Sequence, residues 1–211
     1  MRDVSDALEQ IEAIHGHLAK SEVYRGWRPL PVAASGAIGA LAAVYQSTLP
    51  RPLDAVSFAT FWLVVALAGL LVGCAEIVWH YARYASASDR RRSRLVVGQL
   101  LPALGAGACI AVAIVRFAPA MAMVLPGTWA LLFGVGIFAA RPYLPPAAGW
   151  VAAFYWLAGL TLLWMCRDVN ALSPWMVGVP FSVGQLLAAG VLYWTVDRQT
   201  TSEVDLSRFR K

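Results

Sequence analysis

The sequence predicts an all-α, polytopic membrane protein with six transmembrane helices, and three observations predict it. The first is composition: 59% of the 211 residues are hydrophobic, against roughly 45–50% in a soluble domain. The second is distribution. Only 14% of residues are charged, and they cluster, leaving apolar stretches of the roughly 20 residues that a membrane helix needs. The third is punctuation. The turns "TLPRPLD", "RPYLPPAAG" and "NALSPW" separate several of these stretches, and proline suits turns and first helical turns because it lacks an N–H.

Residues 1–28 are polar and mixed in charge. No small-residue cleavage site precedes a soluble body, so the first span is expected to stay in the membrane. Within this stretch, "MRDVSDALEQIEAIHGHLAKSEVYRG" reads as an amphipathic helix. Val4, Leu8, Ile11, Ile14 and Leu18 recur at helical spacing, and Asp3, Asp6, Glu9 and Glu12 mark the other side. Helices that lie on membranes usually carry a basic polar face. An acidic one fits docking on a basic protein surface better. His15 and His17, near its end, read as solvated.

The six spans are expected at about 31–46, 55–84, 94–116, 123–140, 147–166 and 174–197, with 29–197 as one transmembrane domain. Asp54 is a plausible N-cap for the second span. The C-terminal "DRQTTSEVDLSRFRK" reads as a short solvated tail from 198 to 211.

Lysine and arginine set the orientation. With the N-terminus in the cytoplasm, fourteen of the 17 basic residues fall inside and only Arg51, Arg116 and Arg167 outside. Both termini are therefore expected in the cytoplasm, across a bacterial inner membrane. The net charge of +5 is mostly this topological signal. No stacking motif accompanies it, so direct nucleic-acid binding is not expected.

The second span is about 45 Å long at ~1.5 Å per residue, against a hydrocarbon of ~30 Å. Phe58, Phe61 and Trp62 are expected at its outer interface, and Trp79, Tyr81 and Tyr84 at the inner one. This places His80 at headgroup level and Glu76 one turn deeper. The two share a helix face at i, i+4. They form a candidate polar site, because a carboxylate at the core edge usually faces protein or water. The competing reading is a Glu76 paired with His80 or a nearby arginine, sealing a packed interior.

Gln99 and Gln185 lie in two copies of "VGQLL", at 97–101 and 183–187. Amides in a bilayer often hydrogen-bond across a helix pair for ~0.6–2 kcal/mol. Pro102 and Pro180 in the same spans free carbonyls that can line a cavity. These glutamines complete the candidate set Glu76, His80, Gln99 and Gln185. "GLLVG" (69–73) and "ALGAGACIA" (103–111) permit close helix approach, within the bundle or at a homodimer face. Cys74, Cys109 and Cys166 are isolated and read as small buried residues. Haem is disfavoured: His80 is the only histidine in a span, and Met121, Met123, Met165 and Met176 lie towards the opposite side.

Weak echoes suggest a repeat. "GAIGALAA" (36–43) echoes "GVGIFAA" (134–140), "STLPRP" (47–52) echoes "PYLPPA" (142–147), and "VGQLL" recurs in the third and sixth spans. Three helices per half would make the halves inverted, as in many transporters. No nucleophile–base pair, phosphate loop or carboxylate dyad is present. The expectation is a protein without catalytic residues, cofactor or metal.

"ALEQIEAIHGHLAKSEVYRGWRPLPVAASGAIGALAA" resembles the start of an uncharacterised family of bacterial six-helix integral membrane proteins. "SRLVVGQLLPALGAGACIAVAIVRF" and "VLPGTWALLFGVGIFAARPYLP" are similar to its central region. Members are often encoded beside a winged-helix transcriptional regulator. The resemblance implies a signalling or sequestering partnership and supplies no catalytic residue. The leading expectation is a membrane sensor or regulatory component. Its docking surface for a cytoplasmic partner would combine Asp6, Glu9 and Glu12 with an Arg90, Arg91, Arg92 and Arg94 loop. The alternative is a small-solute or ion transporter; a membrane haem or redox protein is a distant third.

Overall fold

The computed structural model describes residues 29–50, 53–83, 87–166 and 172–208, with the backbone alone at 76–83, 87–92 and 196–208. Among the described residues the chain is all-helical. It forms α1 (Pro29–Ser47), α2 (Ala55–Arg83), α3 (Ala87–Phe117), α4 (Leu125–Ala140), α5 (Ala148–Met165) and α6 (Trp175–Arg208). Short 3-10 turns at Pro119–Val124 and Arg141–Tyr143 bracket α4. Six segments are long and apolar enough to cross a membrane, the architecture of a six-helix polytopic protein. The expected helix 1–28 lies outside the described residues, as do the acidic residues Asp6, Glu9 and Glu12 on it.

Helix ends follow local chemistry. Asp54 caps α2 as expected: its Oδ1 accepts from the Ser57 N–H at 2.9 Å, filling one of the donors a helix start leaves free. At the end of α1, the Ser47 and Thr48 hydroxyls each donate at 2.7 Å to the Val44 and Tyr45 carbonyls. Pro126 sits in the first turn of α4, where its missing N–H removes no helical bond.

Two boundaries differ from expectation. The Arg90–Arg94 stretch is not a loop: α3 starts at Ala87, seven residues before the expected 94. Arginine is a good helix former, and Asp89 lies in the first turn, where the helix dipole favours an acid. Nor is 198–211 a plain tail, because α6 continues to Arg208. The sequence after Gly190 contains neither glycine nor proline, so no stop signal interrupts it.

Among the described residues the helices form a ring in the order α1, α6, α5, α4, α3, α2, in which α1–α6 and α4–α5 are the most extensive contacts and α2–α3 the sparsest. Glycine makes the tight pairs possible. A Cβ on Gly127 of α4 would lie 2.9 Å from the Gly159 carbonyl of α5, and one on Gly159 would lie 2.9 Å from the Gly127 carbonyl. Only bare glycine lets these backbones meet, and in lipid such close packing replaces the missing hydrophobic drive between helices.

Gly36 of α1 abuts Gln185 in one "VGQLL", and Gly136 of α4 abuts Leu100 in the other. Gln185 faces inward, 8% exposed, while Gln99 is exposed on the outside.

The outer face is apolar, with Leu41, Val64, Leu67, Val112, Leu157 and Leu186 all exposed, as expected where lipid is the solvent. Exposed Trp150 and Trp164 on α5, and Trp175 and Trp194 on α6, mark the two rims. Fourteen and nineteen residues separate these pairs, about 21 and 28 Å of helix, close to a bilayer core. Phe58 and Trp62 do not belong to a rim belt. At 0% and 4% exposed they are core residues, because α1 supplies a buried partner for the indole N–H.

Candidate functional site

All six helices contribute to one cavity of about 300 Å³. Its wall is mainly apolar, with five aromatic residues: Trp62, Trp129, Phe133, Tyr155 and Phe181. The two indole N–H groups are already used. Trp62 donates to Gln46 Oε1 at 2.8 Å, and Trp129 to the Gly107 carbonyl at 3.1 Å. The Tyr155 ring stands edge-on to Phe133, centroids 4.9 Å apart, and its hydroxyl donates to the Phe181 carbonyl at 3.2 Å. Among the described residues, no charged side chain lines the cavity.

One wall is polar. Gln185 Nε2 reaches the Tyr155 hydroxyl over 3.4 Å, longer than a good N–H···O bond. Its Oε1 lies 3.1 Å from Ser35 Oγ, but the single Ser35 hydroxyl hydrogen has a shorter acceptor, the Val32 carbonyl at 2.7 Å. Ser182, one turn away, donates to the Gly36 carbonyl at 2.9 Å. Gln185 is therefore a buried amide whose hydrogen-bonding capacity the protein fills only in part. Pro180, also on the wall, donates no N–H to the Met176 carbonyl one turn before it.

A second cavity of about 80 Å³ lies beyond, reaching Leu144, Pro145 and Ala148 at the α4–α5 turn. Val32, Leu100, Phe133 and Gln185 border both cavities. Gln185 thus stands at the partition between them.

Of the expected site residues, Gln185 is in this site. Gln99 is not: it faces outward, away from the cavity wall. Glu76 and His80 lie on the last turns of α2, but their side chains fall outside the described ones, as do those of Arg90, Arg91 and Arg92. Arg94 is exposed. Among the described residues no group of three His, Cys, Asp or Glu is placed to hold a metal. Cys109 is exposed rather than buried, while Cys74 and Cys166 are half-buried.

Sequence reasoning missed Ser35, Gln46, Trp129 and Tyr155. The available signal was position. Trp129 and Tyr155 sit well inside their spans, where an aromatic carrying a polar group needs an internal partner. The GxxxG of "GLLVG" also behaves unexpectedly. Gly69 and Gly73 line the cavity, and a Cβ on either would meet nothing within 4 Å. They thin a wall rather than seat a helix. Comparison with protein-family models, curated proteins and solved structures finds no match.

Proposed function

We propose that this chain is a non-enzymatic sensor or regulatory component of a bacterial inner membrane, reading the state of its cavity out to a cytoplasmic partner. One observation carries the reading. Three cavity-lining helices are much longer than the membrane requires: α2, α3 and α6 have 29, 31 and 34 residues, or about 44, 47 and 51 Å. Most of their charged residues fall in one end stretch of each, at 76–83, 89–94 and 197–208. The excess of each lies at the same end, since α2 and α3 adjoin there and α6 runs antiparallel to α1.

That end carries Arg83, Arg90, Arg91, Arg92 and Arg94, the positive-inside signature. A rearrangement around the cavity that tilts any of the three helices displaces its continuous extension in the cytosol. A partner that prefers one arrangement then biases the equilibrium, and a cavity ligand biases it in turn. Asp6, Glu9, Glu12 and the Arg90–Arg94 segment are the proposed docking groups, and the family resemblance points to a regulator protein as the partner.

A photo-crosslinking residue at positions 91 and 201, compared with 118 at the other end, tests this in intact cells. The reading expects defined heavier adducts from 91 and 201 only, weakened by Arg90→Ser with Arg92→Ser. Absence of adducts at both positions removes it; an adduct of the chain with itself supports the homodimer instead.

A second reading has its own support. The two cavities meeting at Val32, Leu100, Phe133 and Gln185 resemble an interrupted path, as in a small-solute transporter of inverted halves. Its difficulty is the apolar wall, which offers little to a polar solute. Solute flux in reconstituted vesicles that depends on Gln185 would favour it.

A further inference from the structure

We propose that the larger cavity binds one neutral single-chain amphiphile, taken laterally from the surrounding lipid between α2 and α3, with its uncharged head hydrogen-bonded to Gln185. This deepens the sensing role proposed above by naming the class of molecule sensed.

Four features support that occupant. The first is size: about 300 Å³ lies at the lower end of small-molecule sites and equals roughly ten waters' share of liquid volume. That suits a single chain and not a two-chain phospholipid. The second is polarity. An apolar cavity is a poor place for water, and without a charged wall residue among those described, an ionised head would be buried unpaired.

The third feature is the amide. Gln185 Nε2 carries two hydrogens, and only the long 3.4 Å contact to Tyr155 engages them. A carbonyl or hydroxyl on the ligand head would complete this group, with Ser35 and Tyr155 alongside.

The fourth feature is the route. α2 and α3 are adjacent in sequence, separated only by residues 84–86, yet among the described residues they touch less than the other neighbours in the ring. Gly69 and Gly73 on α2 border the cavity, and on α3 Gly105 likewise has no neighbour within 4 Å of a Cβ position. Leu101 of α3, on the cavity wall, and Leu67 and Leu71 of α2 are exposed and apolar. The gap therefore faces the hydrocarbon, where an acyl chain enters without crossing polar ground.

The test uses the full chain in lipid nanodiscs and a monoacylglycerol bearing a photoreactive diazirine in its chain, with crosslinked residues located by mass spectrometry. The proposal expects saturable labelling at cavity residues such as Leu70, Leu104 and Trp129, competed by unlabelled monoacylglycerol. Gln185→Leu should weaken that competition roughly tenfold, the loss of about one hydrogen bond. Gly69→Leu with Gly73→Leu should abolish the saturable fraction while leaving the melting temperature nearly unchanged. Labelling that never saturates, or that stays on lipid-facing residues such as Leu41 and Val112, overturns the proposal. Equal competition by palmitate overturns the neutral head, and equal competition by phosphatidylglycerol overturns the single chain. The outcome is separable from the partner test: occupancy without adducts at 91 and 201 refutes sensing alone, and adducts without occupancy refute this ligand alone.

Discussion

Trp62 of α2 donates its indole N–H to Oε1 of Gln46 on α1 at 2.8 Å, with Gln46 only 1% exposed. This bond joins the ring at one of its weaker contacts and holds the Trp62 ring against the cavity. Gln46→Leu leaves the buried indole donor without a partner, at a cost of about 1–3 kcal/mol. The expected result is a lower melting temperature in nanodiscs. Gln46→Leu combined with Trp62→Phe should recover most of the loss, because no polar group is then stranded. A double variant as unstable as the single one would show that the bond is not the cause.

The glycines divide into two classes, and substitution should separate them. Gly127→Ala and Gly159→Ala each push a methyl against a backbone carbonyl, which should cost about 1–3 kcal/mol. Gly69→Ala and Gly73→Ala enter open space and relieve helix entropy, so they should be neutral or stabilising by up to about 1 kcal/mol. Thermal denaturation of the four single variants checks the ordering. Equal destabilisation by all four would contradict the closed contact and the open gap alike.

Asp54 gives the fold one defined pH response. Hydrogen bonds from the Ser57 side chain and backbone hold its carboxyl below the ordinary carboxylate range. A depressed acid stabilises the folded state above its unfolded pKa, about 3.9, and that contribution disappears as pH falls through the folded value. Between pH 5 and pH 3 the wild type should therefore lose stability that Asp54→Ala lacks at every pH. Asp54→Asn should keep part of the cap without the pH dependence. Parallel melting curves for wild type and Asp54→Ala across this range would refute the assignment.

The sequence made depth legible and rotation illegible. Lipid demands long apolar runs, so the six spans and the Asp54 cap could be read directly. Which face of a helix turns inward depends on its neighbours. The two "VGQLL" copies are identical, yet Gln185 is buried and Gln99 is exposed, because α6 packs on Gly36 while α3 presents Leu100 to Gly136. Phe58 and Trp62 lie near a span end and look like rim residues, but Gln46 draws the indole into the core. The Gly69–Gly73 pair matches a packing motif whose partner helix is absent from that face. Helical continuation through Arg90–Arg94 and beyond Asp197 was also hidden, since hydropathy reports where the apolar window stops and not where the helix does.

The proposed orientation is the premise of the sensing account, and residue accessibility tests it most directly. With Cys74, Cys109 and Cys166 replaced by alanine, single cysteines at Thr48 and Ser88 would be probed in intact spheroplasts with a membrane-impermeant maleimide. The account predicts that position 48 labels from outside and that position 88 labels only after lysis. Labelling of position 88 in intact spheroplasts, with position 48 protected, would contradict it.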